Sequence, residues 1–362
     1  MGYFLRSHCV GPKTLRYRVV DSRGPWFIGS SPLASGLAII YLCYTVLALF
    51  FARCSSTPCV AHVNITGRGS TIRKIILLTI ARTLGLRYVL HVHDYDYAGY
   101  YRDQSALLKG LIATAFRRAA IIVVLGRRDQ EVISQLFQLP RGRIVVLHNA
   151  VPDPLPHLRM TTPSPPGRTC HLLFLGRLSA RKGVPELLRA LASPSMKLHR
   201  WRATLAGDGP ADEFRKVAHD LGILERLCFP GWLDEAGVTA LCADADVLVL
   251  PSYAEGLAMA VLEGLSHGLA VITTAVGAHT EVIEPEVSGL FVPPGDVAAL
   301  ADALARVVED ETLRKQLARG ARDRFLAEFD VRCYAPRLAQ LHAGLLGFGG
   351  NEPGPIGERQ IS

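Results

Sequence analysis

Four charged side chains stand where this sequence turns from strand to helix. Arg177 and Lys182 lie in "FLGRLSARKGVPELL", 174–188, with Gly183 directly after the lysine. Two cations at such a turn, beside free helix N–H groups, suit a diphosphate. The guanidinium can clamp two oxygens, while the ammonium acts as a point charge. A solvated basic loop would look the same in isolation. Glu255 and Glu263 lie in "YAEGLAMAVLEGLSHG", 253–268, among Ala, Leu, Met, Val and Gly. A carboxylate in apolar surroundings is costly unless it is paired or hydrogen-bonded. Glu255 falls in the loop after "VLVLPS". Gly256, Leu257, Ala258 and Met259 open the next helix with free amides, and Glu263 comes two turns further in. The two carboxylates are therefore expected at different depths of one wall, not as an acid/base couple. Between the two pairs, "AGDGP", 206–210, places Gly207 and Asp208 in a turn where backbone can approach a ligand closely.

The elements that must position these residues form a pattern that occurs twice. Short apolar runs at 16–21, 59–66, 87–93, 121–126 and 143–150 alternate with helical stretches, and the second half repeats this at 171–178, 202–209, 226–232, 245–252, 269–274 and 289–294. Continuous apolar strands between helices mean parallel sheet covered on both faces. The expectation is an α/β chain of two Rossmann-like parallel-sheet domains facing across a cleft, with ligands at the carboxyl ends of the strands. The domains are read as 1–152 and 170–330, joined by a Pro-rich linker at 153–169. A C-terminal helix, 331–347, and a Gly- and Pro-rich disordered tail, 348–362, follow.

Composition narrows the partners. The 362 residues are 49% hydrophobic and 20% charged, an ordinary globular mixture. Residues 1–150 hold 19 Lys and Arg against 6 Asp and Glu, net +13, and the remainder is net −5. A basic half suits phosphates, a diphosphate substrate or anionic lipid heads. No zinc finger, RNP-like motif or aromatic-interleaved basic run supports nucleic acid. The eight cysteines have no C-x-x-C pair or zinc spacing, so they read as reduced thiols. "GLAIIYLCYTVLALFFA", 36–52, carries no charge. It reads as a buried or interfacial helix before it reads as a membrane span, and it does not read as a signal peptide.

Arg177 with Lys182 in "GRLSARKG", then "AGDGP", "PSYAEGLAMAVLEGLSHG", "TAVGAHTEVI" and "SGLFVPPGD", in that order and spacing, resemble the retaining glycosyltransferases of family 4. The second half matches almost throughout, including the E-x7-E element. The resemblance implies a GT-B fold and a nucleotide-diphosphate sugar donor, UDP- or GDP-linked, held by the C-terminal domain. Carried over by position, Arg177 and Lys182 contact the diphosphate, Glu255 the donor-sugar hydroxyls at the reacting centre, and Glu263 the ribose. The amides of 256–259 and the turn at Gly207 and Asp208 complete the donor site. In the first half "VLHVHDYD", 89–96, is similar to the strand whose terminal histidine lines the cleft, which nominates His93. His91 is read onto the opposite strand face. "GRGSTIRK", 67–74, nominates Arg68, Ser70 and Arg73 on the acceptor side, and "LHNAV" adds Asn149.

The resemblance implies no covalent nucleophile: the leaving diphosphate helps deprotonate the incoming hydroxyl, and the protein positions groups and stabilises charge. The acceptor is expected to be a glycan or a polyprenyl-diphosphate-linked species, in surface polysaccharide or glycolipid synthesis by a cytoplasmic protein peripheral at the inner membrane face. No cofactor and no essential metal is expected. "DAD", 244–246, reads as a helix-to-strand junction. "DYD", 94–96, could reach the cleft, but the Arg/Lys pair already neutralises a diphosphate. The sequence departs from the family at its start. No opening strand with a Gly-Gly loop is evident in residues 1–15, and Gly11 is a poor substitute, so the first domain is expected to be one strand short. A non-catalytic nucleotide-sugar-binding protein and a sugar-nucleotide epimerase on the same fold are the competing readings. A nicotinamide dehydrogenase would need an early G-x-G-x-x-G, which is absent.

Overall fold

The structure is a computed structural model that describes residues 15–22, 32–67, 69–154 and 169–347. The chain divides into two units: Met1–Leu147 with Ala335–Ser362, and His148–Tyr334. Both are α/β with an all-parallel sheet, as the apolar runs require.

The first unit has four described strands, β1 (Val60–Ile65), β2 (Arg87–Val92), β3 (Ile121–Val124) and β4 (Ile144–Val146), adjacent in chain order. Helices α1 (Pro32–Cys54), α2 (Gly69–Thr83), α3 (Ala106–Arg118) and α4 (Arg127–Phe137) lie between or before them. The core gathers Leu90, Ile112, Phe116, Ile122 and Phe137, with the Phe116 and Phe137 rings stacked at 4.1 Å. Segment 16–21, expected as a strand, is not one: its β-branched pair is flanked by Arg16, Arg18 and Asp21, and no ladder partner joins it among the described residues. The 36–52 segment is helical but not buried. Ile39, Ile40, Tyr44, Leu47, Phe50 and Phe51 are all exposed, a contiguous apolar face on one side of α1. Among the described residues no helix is long and apolar enough to cross a membrane. Residues 1–14 (with Gly11), Arg68, residues 155–168 of the linker and the 348–362 tail lie outside the described residues.

The second unit has a six-stranded sheet in the order β10-β9-β8-β5-β6-β7. These are β5 (Cys170–Leu175), β6 (Trp201–Ala206), β7 (Leu227–Gly231), β8 (Val247–Leu250), β9 (Ala270–Thr274) and β10 (Leu290–Val292). β5, β8 and β9 are buried along their whole length, which fits their unbroken apolar sequences. Strand order reverses beside β5, which pairs with β6 on one side and β8 on the other. That reversal opens a crevice at the carboxyl ends of β5 and β8, the place where open α/β sheets bind ligands. β5 runs out into Gly176 and Arg177, and β8 into Pro251–Glu255.

Candidate functional site

The turn after β5 brings its two cations into different settings. Arg177 is exposed, and its side chain has no partner among the described residues. Lys182 ends a 3-10 turn, Ala180–Lys182, just before helix α5 (Val184–Leu191). Its Nζ lies 2.6 Å from Glu255 Oε1, with both side chains nearly buried. In the free protein, the expected diphosphate lysine is therefore held by the expected sugar-binding glutamate. Oε1 receives no well-directed hydrogen bond, so the contact is an ion pair of charge and proximity. Arg181, which motif reasoning passed over, approaches the same oxygen at 3.7 Å and donates from a guanidinium N–H to the Ala254 carbonyl at 2.5 Å. The Tyr253 amide donates in turn to Arg181 O at 2.9 Å, so the turns after β5 and β8 are sewn together.

The Gly-rich turn after β6 closes on the same spot. Gly207 has φ +148°, and a Cβ there would lie 1.9 Å from Gly176 O, inside any allowed contact. Only glycine lets the turns after β5 and β6 touch at this point. The Asp208 carbonyl accepts from Leu178 N–H at 2.7 Å, and the Asp208 side chain points to solvent.

The loop after β8 differs from expectation in one respect. Helix α6 (Met259–Ser266) begins at Met259, so Gly256, Leu257 and Ala258 form a buried approach to it and not its first turn. The Ala258 amide is already directed at His279 Nε2, 3.5 Å away, and so is not a free donor for phosphate. Glu263 sits within α6, mostly buried, with no hydrogen bond or cation for its carboxylate among the described residues. Burial, and then the charge of Glu235, push its pKa up. The two glutamates thus differ in kind: one is neutralised in advance, the other is a desolvated acceptor.

In the first unit, His93 follows β2 and hydrogen-bonds to Asn64 Oδ1 at 3.0 Å; an amide oxygen only accepts, so Nε2 carries the proton. Burial lowers its pKa to about 4. His91 does not face away from it. Positions two apart in a strand share a face, and the two rings lie 4.0 Å apart. Behind them the rings form a chain: His91 Nδ1 to His62 Nε2 at 3.2 Å, His62 Nδ1 to His342 Nε2 at 3.0 Å, and His342 Nδ1 to the Tyr17 hydroxyl at 3.1 Å. Ser70 and Arg73 fall in the first turns of α2, both half-buried, and Arg73 Nε has no partner among the described residues. Asn149 is buried in the loop beyond β4 and belongs to the second unit. The "DYD" loop is structurally engaged: Asp94 accepts from Gly67 N–H at 2.5 Å, and Asp96 caps the helix Tyr97–Arg102. With Arg102, Arg128 and Asp129 it lines a cavity of about 450 Å³. "DAD" is a junction, as read: Asp246 accepts the His171 amide, and Asp244 pairs with Arg202 at 2.6 Å.

Residues 164–324 match the family model described as glycosyl transferases group 1. The matched residues lie within the second unit. The chain is 29% identical over 333 residues to a 2-deoxystreptamine N-acetyl-D-glucosaminyltransferase of Streptomyces fradiae, covering 85% of this chain and 77% of the relative. It is 24% identical over 295 residues to an alpha-D-kanosaminyltransferase of Streptomyces kanamyceticus, covering 78% and 76%. Among solved structures, Anabaena HepE in complex with UDP superposes with a TM-score of 0.67 at 21% identity, covering 86% of this chain and 84% of that one. At that identity the likeness establishes the fold.

Proposed function

We propose that the protein is a retaining, family 4 glycosyltransferase that moves a sugar from a UDP- or GDP-sugar to a glycan or lipid-linked acceptor. The observation that carries the reading is the set of groups around the β5/β8 crevice. Arg177 is free, Lys182 is held at 2.6 Å by Glu255, a glycine turn closes on Gly176, and Glu263 waits as an unpaired acceptor. A diphosphate draws Lys182 and Arg177 to itself, which releases Glu255 toward the sugar hydroxyls. Glu263 accepts from the ribose hydroxyls. Charge then builds on the leaving diphosphate, where the two cations stabilise it, and loss of one such donor costs about a hundredfold or more in rate. The incoming hydroxyl gives its proton to that diphosphate, so the site needs positioning and positive charge but no covalent nucleophile. His93 and the 450 Å³ cavity beside the "DYD" loop serve the acceptor side.

The exposed apolar face of α1, in a half-chain of net +13, supports attachment to an anionic membrane surface, where a lipid-linked acceptor would be met. A second acceptor reading rests on one relative: the Streptomyces fradiae enzyme is named for 2-deoxystreptamine, which favours a small polyol amine. The deciding experiment is binding and turnover of a panel of UDP-, GDP- and ADP-sugars by the protein and its Lys182→Ala variant, with the product anomer read by NMR. Selective donor binding lost in the variant and a retained anomeric configuration support the reading. No binding to any donor sinks it, and binding without turnover leaves the non-catalytic alternative.

A further inference from the structure

His279 is fully buried in the first turn after β9, behind the loop that carries Glu255. Its two nitrogens have different partners. Nδ1 lies 3.1 Å from the Thr274 carbonyl and 3.1 Å from Thr273 Oγ1. The carbonyl only accepts, and the Thr273 hydroxyl proton is already given to Leu250 O at 2.9 Å. Nδ1 must therefore be the donor. Nε2 faces the Ala258 N–H at 3.5 Å and must be the acceptor. Only the neutral Nδ1–H tautomer satisfies all of these contacts. The same segment presses on the loop from a second side. The Ala278 amide donates to Gly256 O at 2.7 Å, and Gly277 has φ +56° with a position where a Cβ would lie 2.1 Å from Glu255 O.

We propose that His279 is a positioning residue of the donor site: as a neutral imidazole bridging the ends of β8 and β9 to the Ala258 amide, it fixes the 255–258 backbone and so the reach of Glu255. The inference rests on the donor reading above. A charged His279 would put a second N–H against the Ala258 N–H and push the loop away. Its surroundings oppose that charge: burial is the largest influence, and Lys182 acts in the same sense, whereas Glu255 and the Thr274 carbonyl favour protonation. These are the groups around the ring, with Thr273 beside them. Acidification therefore uncouples the loop only once it overcomes burial.

The test compares wild type, His279→Gln and His279→Leu. Glutamine can accept from Ala258 and donate to Thr274 without titrating; leucine can do neither. Donor KM and kcat are measured at pH 7.5, and hydrogen exchange of a peptide spanning 255–260 is followed without ligand. His279→Leu is expected to raise donor KM about tenfold, the loss of one hydrogen bond, with kcat changed less and exchange of the peptide accelerated. His279→Gln is expected to stay within about threefold of wild type in donor KM and to restore slow exchange of the peptide. Wild-type donor affinity in His279→Leu, or a donor affinity in His279→Gln as low as that of His279→Leu, overturns the proposal. Unchanged exchange at 255–260 in His279→Leu also overturns it, whether or not a donor binds. Wild type that binds no donor refutes the donor reading instead.

Discussion

Lowering the pH should destabilise the first unit, and the histidine chain sets the size of the effect. His62, His91 and His342 hand hydrogen bonds to one another behind β2, and neither a carboxylate nor any other anion is among the charges that shift them. Burial, assisted for His62 and His91 by the neighbouring imidazoles, lowers His62 to about 3 and His91 well below its ordinary value; burial alone lowers His342 to about 4. The unfolded chain takes up protons near the ordinary value of 6.5, and the folded one does not. The unfolded state therefore binds more protons as pH falls, and stability falls with it. Above pH 6.5 the effect is absent; it grows as pH drops from there toward about 4. Each such histidine costs about 1.4 kcal/mol per pH unit in that window, so three of them cost about 6 kcal/mol between pH 6.5 and about pH 5. His93, which burial also lowers to about 4, adds to that loss. A domain is stable by about 5–15 kcal/mol, so most of the reserve of the unit is consumed. Hydrogen exchange of peptides covering β1 and β2, corrected for intrinsic rates, reads the opening free energy across pH 7.5 to pH 5. His342→Gln should lower overall stability yet flatten the pH slope by about one proton equivalent, roughly 1.4 kcal/mol per unit. A wild-type slope near zero, or an unchanged slope in the variant, refutes the reasoning.

Three further outcomes follow from the geometry. Gly207→Ala, with φ +148° and a Cβ that would lie 1.9 Å from Gly176 O, should cost about 3 kcal/mol or more in thermal unfolding, whereas Gly222→Ala, at φ +70° in open space, should cost about 1–2 kcal/mol. Glu255→Ala strands the Lys182 ammonium and should destabilise the free protein by about 3 kcal/mol. Added UDP should then raise the variant's unfolding midpoint more than that of wild type; equal shifts would mean that the pair is not held in the free protein. Leu47→Glu with Phe51→Glu should abolish sedimentation with phosphatidylserine vesicles and leave the unfolding midpoint within about 2 °C of wild type, because both side chains are exposed; persistent binding would clear α1 of the role.

Legibility followed chain continuity. The strands of the second unit were readable because β5, β8 and β9 are unbroken apolar runs buried along their length, with Gly176 closing β5 and Pro251 closing β8. Arg177, Lys182 and Glu255 could be located because motif and strand end coincide there. Segment 16–21 misled because three β-branched or aromatic residues carry no information about a missing ladder partner. The 36–52 helix was legible as a helix, and of its two expected settings, buried or interfacial, the exposed face argues against the first, because burial is decided by what packs on the face. His279 left almost no signal beyond a histidine in a Gly-containing loop after a strand, since its work depends on Ala258, Thr273 and Thr274 brought together by the fold. The histidine chain is the extreme case. His342 and His62 are 280 positions apart and meet only because the helix Val331–Leu346 returns its later turns to the first unit.

The two glutamates of the E-x7-E element look equivalent on the page of sequence, and the structure separates them by electrostatics. Glu255 is at an exit from the sheet where two cations converge, so its charge is already balanced, and any ligand that claims Lys182 must compensate it. A diphosphate sugar does so in one molecule, because its phosphates replace the carboxylate on lysine while its hydroxyls replace lysine on the carboxylate. Free diphosphate offers only the first exchange. Glu263 has no cation to exchange and a pKa pushed upward, so it favours neutral hydroxyl donors and repels phosphate. Under the proposed donor reading the site would select by polarity: an anion beside Arg177 and Lys182, neutral hydroxyls at both glutamates. A ligand with a charged middle and polar, uncharged ends satisfies that order, and a compact polyanion does not.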